Sequence, residues 1–143
     1  MVGLSVKKNV INEIKNHEKK LFNKNKEIGG WLVVDEDTIT NVYFDEDVQS
    51  VGYVKFGCGV NVVPKDERNK VKGWFHKHPI MGLSGMDINT SYNLTKFWGE
   101  CYTLVLQSNN TLLLIKTKIK TDFILNTPVV IVQDKLTIDM VNE

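Results

Sequence analysis

The chain has 143 residues, with 18 basic against 17 acidic side chains and a formal net charge of +1. This length fits one domain over residues 1–143, because single cores commonly contain about 100–150 residues. Such a balance lacks the basic excess of proteins that bind phosphate backbones, so nucleic acid is not expected as a partner. Hydrophobic residues make up 42% and charged residues 24%, as in globular proteins, and neither a leader-like N-terminus nor a long apolar run is present. We therefore expect a cytoplasmic protein that does not enter a membrane.

The first predicted element is an amphipathic helix from Ser5 to Phe22. Its apolar residues recur at close to 3.6-residue spacing, with lysines on the opposite face. We expect His17 of this helix at the surface or at the edge of the core, and not in a ligand set. The apolar residues of the helix are Val6, Val10, Ile11, Ile14, Leu21 and Phe22.

Strands are expected next. The segments 27–34, 38–44 and 51–63 are rich in β-branched and aromatic residues, with acidic clusters placed where turns would be, so they predict a three-stranded meander. The charged segment 64–70 has no apolar period and is predicted to be an exposed loop. A fourth strand follows over residues 71–79 and ends in a proline.

The second helix is predicted to start near Asp87 and to extend through the segment MDINTSYNLTKFW. Ser84 precedes it as a candidate N-cap. Residues at roughly helical spacing in it are Ile88, Tyr92, Thr95 and Phe97. Three further strands are predicted at 101–107, 111–118 and 129–133, and the turn Ser108-Asn109-Asn110 joins the first two as a hairpin.

Two kinds of residue that often act chemically are expected to be structural here. Cys58 and Cys101 stand far apart in no CxxC pattern, which favours reduced core cysteines. The tryptophans are expected in the core or in the wall of a groove, and not as platforms that stack on a substrate. They are Trp31, Trp74 and Trp98.

The segment GWFHKHPIMGLSGMD concentrates polar side chains with metal-ligand chemistry. His76 and His78 lie one residue apart on a strand and so point to the same face. Ser84 and Asp87 lie three residues apart across a helix start and also face one side, and two glycines let the chain turn back towards the histidines. Catalytic zinc sites use three protein ligands, and imidazole and carboxylate suit them, so we predict a metal site of His76, His78 and Asp87.

Each half of this pattern also occurs without a metal. His-x-His is found on exposed strands, and Ser-x-x-Asp is a common arrangement for capping a helix. The occurrence of both halves in this order, with a proline directly after the second histidine, favours the metal site.

In this arrangement the chain resembles the JAMM metalloproteases, also called MPN+ domains, whose signature is an upstream glutamate, then H-x-H-P, a loop and S-x-x-D. The stretch FHKHPIMGLSGMD matches the second part, and Glu27 of EIGGWLVV occupies the place of the glutamate. The resemblance covers most of the chain in the order of its elements. It implies an α/β fold, a single-domain α-β-α sandwich with a mostly antiparallel central sheet, similar to that of cytidine deaminases.

One departure from the family concerns the loop between His78 and Ser84. It has the five residues PIMGL, whereas the familiar eukaryotic deubiquitinating members have seven. The shorter loop removes surface beside the catalytic groove, so the linkage preferences of those members are not carried over.

The resemblance also implies a role for each signature residue. Zn²⁺ held by His76, His78 and Asp87 lowers the pKa of a water molecule towards ~7, which makes a nucleophile available at neutral pH. Glu27 accepts the proton of that water and passes it to the leaving amine. Ser84 donates a hydrogen bond to the tetrahedral oxyanion.

The function expected from the resemblance is a zinc isopeptidase or peptidase that acts on conjugates of ubiquitin-like or small sulfur-carrier proteins. Two alternatives stay open. One is a JAMM-type peptidase that processes a phage structural protein or a cell-wall peptide, and the other is a metal-free MPN scaffold. Scaffold members have usually lost signature residues, and this chain retains all of them.

Overall fold

The computed structural model describes two α-helices, one short 3₁₀ helix at Arg68–Lys70 and seven strands. The described residues are 4–20, 29–45, 62–77, 85–107, 109–122 and 127–139. Helix α1 spans Lys8–Lys20 and helix α2 spans Gly85–Trp98. The strands are β1 Ser5–Val6, β2 Gly29–Asp35, β3 Thr38–Phe44, β4 Val71–Lys77, β5 Glu100–Leu106, β6 Thr111–Asp122 and β7 Thr127–Asp139. Within these ranges, no helix has the length and apolarity needed to cross a bilayer.

The seven strands form one mixed sheet in the order β1-β3-β2-β4-β5-β6-β7. The pairs β1–β3 and β4–β5 are parallel. The other neighbouring pairs are antiparallel. The predicted mixed α/β class is therefore confirmed for the described residues.

The two helices pack on opposite faces of this sheet. Successive residues of a strand point to opposite faces. On β2, Leu32 belongs to the same buried cluster as Val10 and Ile14 of α1, whereas Val33 belongs to the cluster of Leu94 from α2. We call the side covered by α1 the α1 face and the side covered by α2 the α2 face.

The first helix begins later than predicted. Ser5 and Val6 form a short strand, and the helix starts at Lys8. The Ser5 amide donates to the Asp37 carbonyl oxygen at 3.1 Å, and the Ser5 and Thr38 hydroxyls lie 2.7 Å apart. These pairings with a distant segment replace the first helical turn that the apolar period predicts. The last two residues of the predicted helix lie outside the described part of the chain.

The predicted strands are confirmed where the structure describes them, with one exception. β2 to β5 lie at the predicted segments, and β6 and β7 extend beyond theirs, to Asp122 and to Thr127–Asp139. Of the predicted strand 51–63, only Val62 and Val63 are described, and neither belongs to a strand.

Two hairpin turns place residues other than glycine in the left-handed region. Glu36 and Asp37, between β2 and β3, have φ of 48° and 62°. Asn110, in the predicted turn between β5 and β6, has φ of 65°. Consecutive positive φ values give a turn whose twist matches that of the paired strands β2 and β3.

The segment 64–70 is mostly exposed, as predicted, but one of its side chains also attaches it to the sheet. The carboxylate of Glu67 accepts a hydrogen bond from Asn41 Nδ2 at 3.0 Å and another from the Tyr43 hydroxyl. This second bond raises the pKa of Tyr43 to about 12. Asn41 and Tyr43 lie on β3, far from Glu67 in the sequence. A local sequence pattern therefore could not predict this attachment.

Candidate functional site

The described part of the predicted site lies at one end of the sheet. His76, the penultimate residue of β4, pairs with Gly29 at the start of β2 and with Val105 of β5. Because β2 and β4 are antiparallel, β2 begins at the end of the sheet where β4 finishes. In sequence, Glu27 precedes Gly29 by two residues, and His78 directly follows the last residue of β4.

The structure describes one of the five predicted site side chains, that of His76. Glu27, His78 and Ser84 lie outside the described residues. Asp87 lies in the first turn of α2, but its side chain is outside the described part. No group of three His, Cys, Asp or Glu side chains that could hold a metal occurs among the described residues, which include a single predicted ligand.

His76 is buried on the α2 face, with 1% of its surface exposed. Trp74 lies two residues earlier on the same face, and the centroids of the two rings are 5.6 Å apart. Imidazole nitrogen is a favourable zinc donor, so the chemistry of this side chain fits a metal ligand. Its location between the sheet and α2 fits a ligand that acts together with one from the helix.

A glycine allows the neighbouring strand to approach at this end of the sheet. A Cβ atom at Gly30 would lie 2.5 Å from the carbonyl oxygen of Tyr43 on β3. Such a contact is too short for a side chain, so β2 and β3 can pair here only with glycine at this position.

Buried hydroxyl groups hold α2 against the sheet. Trp74 Nε1 donates to Ser91 Oγ at 3.2 Å and to Thr103 Oγ1 at 3.1 Å, and these two hydroxyl oxygens are 2.7 Å apart. One turn further along α2, Thr95 Oγ1 lies 2.7 Å from Thr117 Oγ1. All five side chains are buried. Together these contacts define where the helix lies on the strands.

The same contacts give the direction of α2 across the sheet. Ser91 contacts Thr103, whereas Thr95 contacts Thr117, which pairs with Cys101 on β5. Cys101 precedes Thr103 by two residues. The helix therefore runs backwards along β5, and its first turn lies towards the later residues of that strand.

This direction brings the first turn of α2 to the level of His76. Four residues of a helix rise about 6 Å, and two residues of a strand cover about 6.7 Å. Helix position 87, one turn before Ser91, is therefore at about the level of Val105, which pairs with His76. By this estimate, the backbone of residue 87 lies at about the level of His76 along the sheet.

The sequence prediction missed the polar contacts of α2. The predicted apolar period included Tyr92, which is 38% exposed, and omitted Ser91, which is buried. The available signal was the four-residue spacing from Asp87 to Ser91 and then to Thr95, which puts these residues on one side of the helix. Because these residues are polar, a search for apolar periodicity does not detect them.

The predictions for tryptophan and cysteine agree with the structure where it describes them. Trp31 and Trp74 are buried, and Trp98 packs edge-on to Trp31 with ring centroids 6.1 Å apart. Cys101 is a buried free thiol, and burial raises its pKa to about 12. Cys58 lies outside the described residues.

The end of α1 also reaches this end of the sheet, on the α1 face. His17 is half-buried and stacks on Phe44 with ring centroids 4.0 Å apart, as expected for a residue at the edge of the core. Glu18 Oε1 lies 3.2 Å from Lys77 Nζ at the end of β4. The ion pair thus joins the last residue of β4 to the helix on the far side from His76.

Comparisons with known proteins add no assignment, because no protein-family model matches the chain and no curated protein matches it significantly. Inference of function therefore depends on the chemistry and placement of the residues themselves.

Proposed function

We propose that the protein is a zinc-dependent metallo-isopeptidase or peptidase of the JAMM type, which hydrolyses (iso)peptide bonds at the C-terminus of ubiquitin-like or small sulfur-carrier proteins. The observation that carries the proposal is the arrangement of three segments around one end of the sheet, linked by the pairing of β2 with β4 and by the bonds of Ser91 to Trp74 and Thr103. These segments are the end of β4 with His76, the start of β2 and the first turn of α2. The residues of the sequence signature lie on these segments or directly flank them.

The arrangement of the elements supports the finer fold assignment, an α-β-α sandwich of the JAMM type. The strand with the histidines is central in the sheet, between β2 and β5. Helix α2, which follows the signature loop, covers the face on which His76 lies. The connection from β4 to the parallel strand β5 therefore passes through the helix that carries Asp87.

The donor set fits zinc. The imidazoles of His76 and His78 and the carboxylate of Asp87 provide two nitrogens and one oxygen, as in catalytic zinc sites with three protein ligands. When bound, the metal supplies Lewis acidity and makes a water molecule acidic enough to be a nucleophile near neutral pH.

The remaining two residues handle protons and developing charge. Glu27 accepts a proton from the attacking water and delivers it to the leaving amine. Ser84 donates a hydrogen bond to the oxyanion that forms at the scissile carbonyl, a contact whose loss commonly lowers kcat by ~10²–10³.

The substitution Glu27→Gln tests this division of roles, because it removes the base and leaves the three ligands intact. We expect the rate of cleavage of a ubiquitin-like fusion with Gly-Gly before the scissile bond to fall by ~10²–10⁴. Zinc content, measured by metal analysis, should remain at about one ion per chain, and the melting temperature should stay near wild type. The matched control is Glu18→Gln, which makes the same change at a glutamate that pairs with Lys77 on the α1 face and should leave the rate close to wild type.

Several outcomes would contradict the proposal. Cleavage by the Glu27→Gln protein at the wild-type rate would mean that another group is the base. Retention of zinc by both His76→Ala and His78→Ala would mean that the metal site is elsewhere. A wild-type protein that binds conjugates without cleaving them would favour the scaffold function, and a zinc-loaded protein that neither binds nor cleaves them would favour a different peptide substrate.

A further inference from the structure

We infer that Ser91 and Thr103 are positioning residues for the metal centre, because their hydroxyls, together with the indole N–H of Trp74, set the level of the first turn of α2 above His76. The predicted effect of these two residues on metal binding rests on the proposed function. Their effect on the helix itself does not depend on any metal.

The three groups form a buried and directional contact between the helix, β4 and β5. The indole N–H is shared between the two oxygens at 3.2 and 3.1 Å, and the oxygens are 2.7 Å from each other, so one hydroxyl donates to the other. Apolar contacts, such as those of Leu94, tolerate small displacements of a helix along a sheet. Hydrogen bonds weaken steeply with distance and angle, so this cluster selects one level for the helix.

A defined level matters because a metal ligand must be placed accurately. Moving a helix by one residue changes the height of a side chain by about 1.5 Å and its direction by about 100°. Metal–ligand distances vary by only ~0.2 Å between functional sites. Ser91 lies one turn after position 87 of α2, and Trp74 lies two residues before His76 on the same face of β4. The cluster therefore contacts both elements that carry proposed ligands, close in sequence to the ligand positions.

A second hydroxyl contact on the same helix provides the control. Thr95 Oγ1 donates to the Ser91 carbonyl oxygen at 2.6 Å and lies 2.7 Å from Thr117 Oγ1, which also donates to the Cys101 carbonyl oxygen at 3.4 Å. The contact between Thr95 and Thr117 joins α2 to β6 one turn further from the predicted ligand. Thr103→Val and Thr117→Val are therefore the same change, each removing a strand hydroxyl that contacts α2, at two distances from the site.

The experiment measures zinc affinity and helix protection separately in Thr103→Val, Ser91→Ala, Thr103→Ser and Thr117→Val. Zinc affinity is obtained by competition with a chromophoric chelator, and amide hydrogen exchange of the first two turns of α2 is followed in metal-free protein. Thr103→Val and Ser91→Ala should weaken zinc binding about 10–100-fold, the usual effect of groups that orient ligands, and should speed exchange in those turns. Thr103→Ser keeps the hydroxyl and should restore both properties, and Thr117→Val should retain wild-type zinc affinity.

Equal weakening of zinc binding in Thr103→Val and Thr117→Val would overturn the inference, because it would indicate a general loss of stability. Failure of Thr103→Ser to restore affinity would do the same. If Thr103→Val does not fold, the zinc affinity and the amide hydrogen exchange of Ser91→Ala test the inference instead. If the wild-type protein binds no zinc, the proposed function fails, and unchanged first-turn exchange in Ser91→Ala would separately overturn the positioning role.

Discussion

The two faces of the sheet are held by different kinds of contact. The α1 face packs hydrocarbon against α1, with the largest strand side chains fully buried. The leucines among them on β5 and β6 are Leu104, Leu106, Leu112 and Leu114. The α2 face also has an apolar cluster around Trp31 and Trp74, but beside it lie buried hydroxyls and His76. These hydroxyl side chains are Ser91, Thr95, Thr103 and Thr117.

The two kinds of contact contribute differently to the protein: one mainly stabilises the fold, and the other fixes the position of a helix. Burial of a large aliphatic side chain contributes about 1.5–3 kcal/mol and has no preferred direction. A buried hydrogen bond contributes a net ~0.5–1.5 kcal/mol, yet leaving one of its partners unsatisfied costs about 1–3 kcal/mol. The α1 face is therefore suited to holding the fold together, and the α2 face to holding a helix at one level beside His76.

The largest expected effect on stability comes from truncation on the α1 face. Leu104→Ala should lower the free energy of unfolding by about 2–5 kcal/mol, because it removes buried methyl groups and leaves a cavity. Urea denaturation of metal-free protein measures this loss. Zinc affinity, measured well below the unfolding transition, should stay near wild type. If Leu104→Ala weakened zinc binding as much as Ser91→Ala, the α1 face would also be needed to position the metal site, and the two faces would not have separate roles.

A smaller effect is expected from a hydroxyl on the α2 face. Thr95→Val keeps the shape of the side chain but removes a donor to the Ser91 carbonyl and a partner of Thr117. We expect the free energy of unfolding to fall by about 1–3 kcal/mol, again measured by urea denaturation. Thr95→Ser, which retains the hydroxyl, is the matched control and should lose less. A Thr95→Val protein as stable as wild type would mean that the buried hydroxyls contribute no specific contact.

The parts of the fold that sequence predicted are those encoded by local patterns. Alternation and β-branched residues indicate β2 to β5, and the apolar period indicates the buried side of α1, where Val10, Ile11 and Ile14 are all buried. The strand at Ser5 was missed because its pairing partner, Thr38, is 33 residues away.

The same distinction holds for the candidate site. The spacing of His76 and His78 and that of Ser84 and Asp87 lie within one short segment, so the pattern is visible in the sequence. The contact of Ser91 with Thr103 joins elements that become neighbours only when the sheet forms. Polar residues that orient a site through tertiary contacts therefore require the structure for their detection.

The α1 face also has charged groups at its rim, and one cluster of them lies at the opposite end of the sheet from His76. Asp37, in the turn between β2 and β3, accepts hydrogen bonds from Lys116 Nζ at 2.7 Å and from the Tyr102 hydroxyl. Lys116 Nζ also lies 3.7 Å from Glu100 Oε2. The hydrogen bond from Lys116, followed by that from Tyr102, holds the pKa of Asp37 below its ordinary value of 3.8.

The smallest expected effect is the pH dependence that this carboxylate produces. A lowered pKa in the folded state means that ionised Asp37 stabilises the fold fully above the unfolded pKa, and that this contribution is lost as pH falls through the lower folded pKa. The side chain of Asp37 is 32% exposed, so solvent screening limits the contribution to about 1 kcal/mol or less. Urea denaturation of wild type and Asp37→Asn between pH 7 and about pH 3 measures it, because other carboxylates titrate in both proteins and cancel in the difference. Wild type should be the more stable protein at pH 7, and the two should converge at acid pH. A constant difference over this range would mean that Lys116 and Tyr102 do not favour the ionised form of Asp37, and that their contacts with it add no charge-dependent stability to the α1 face.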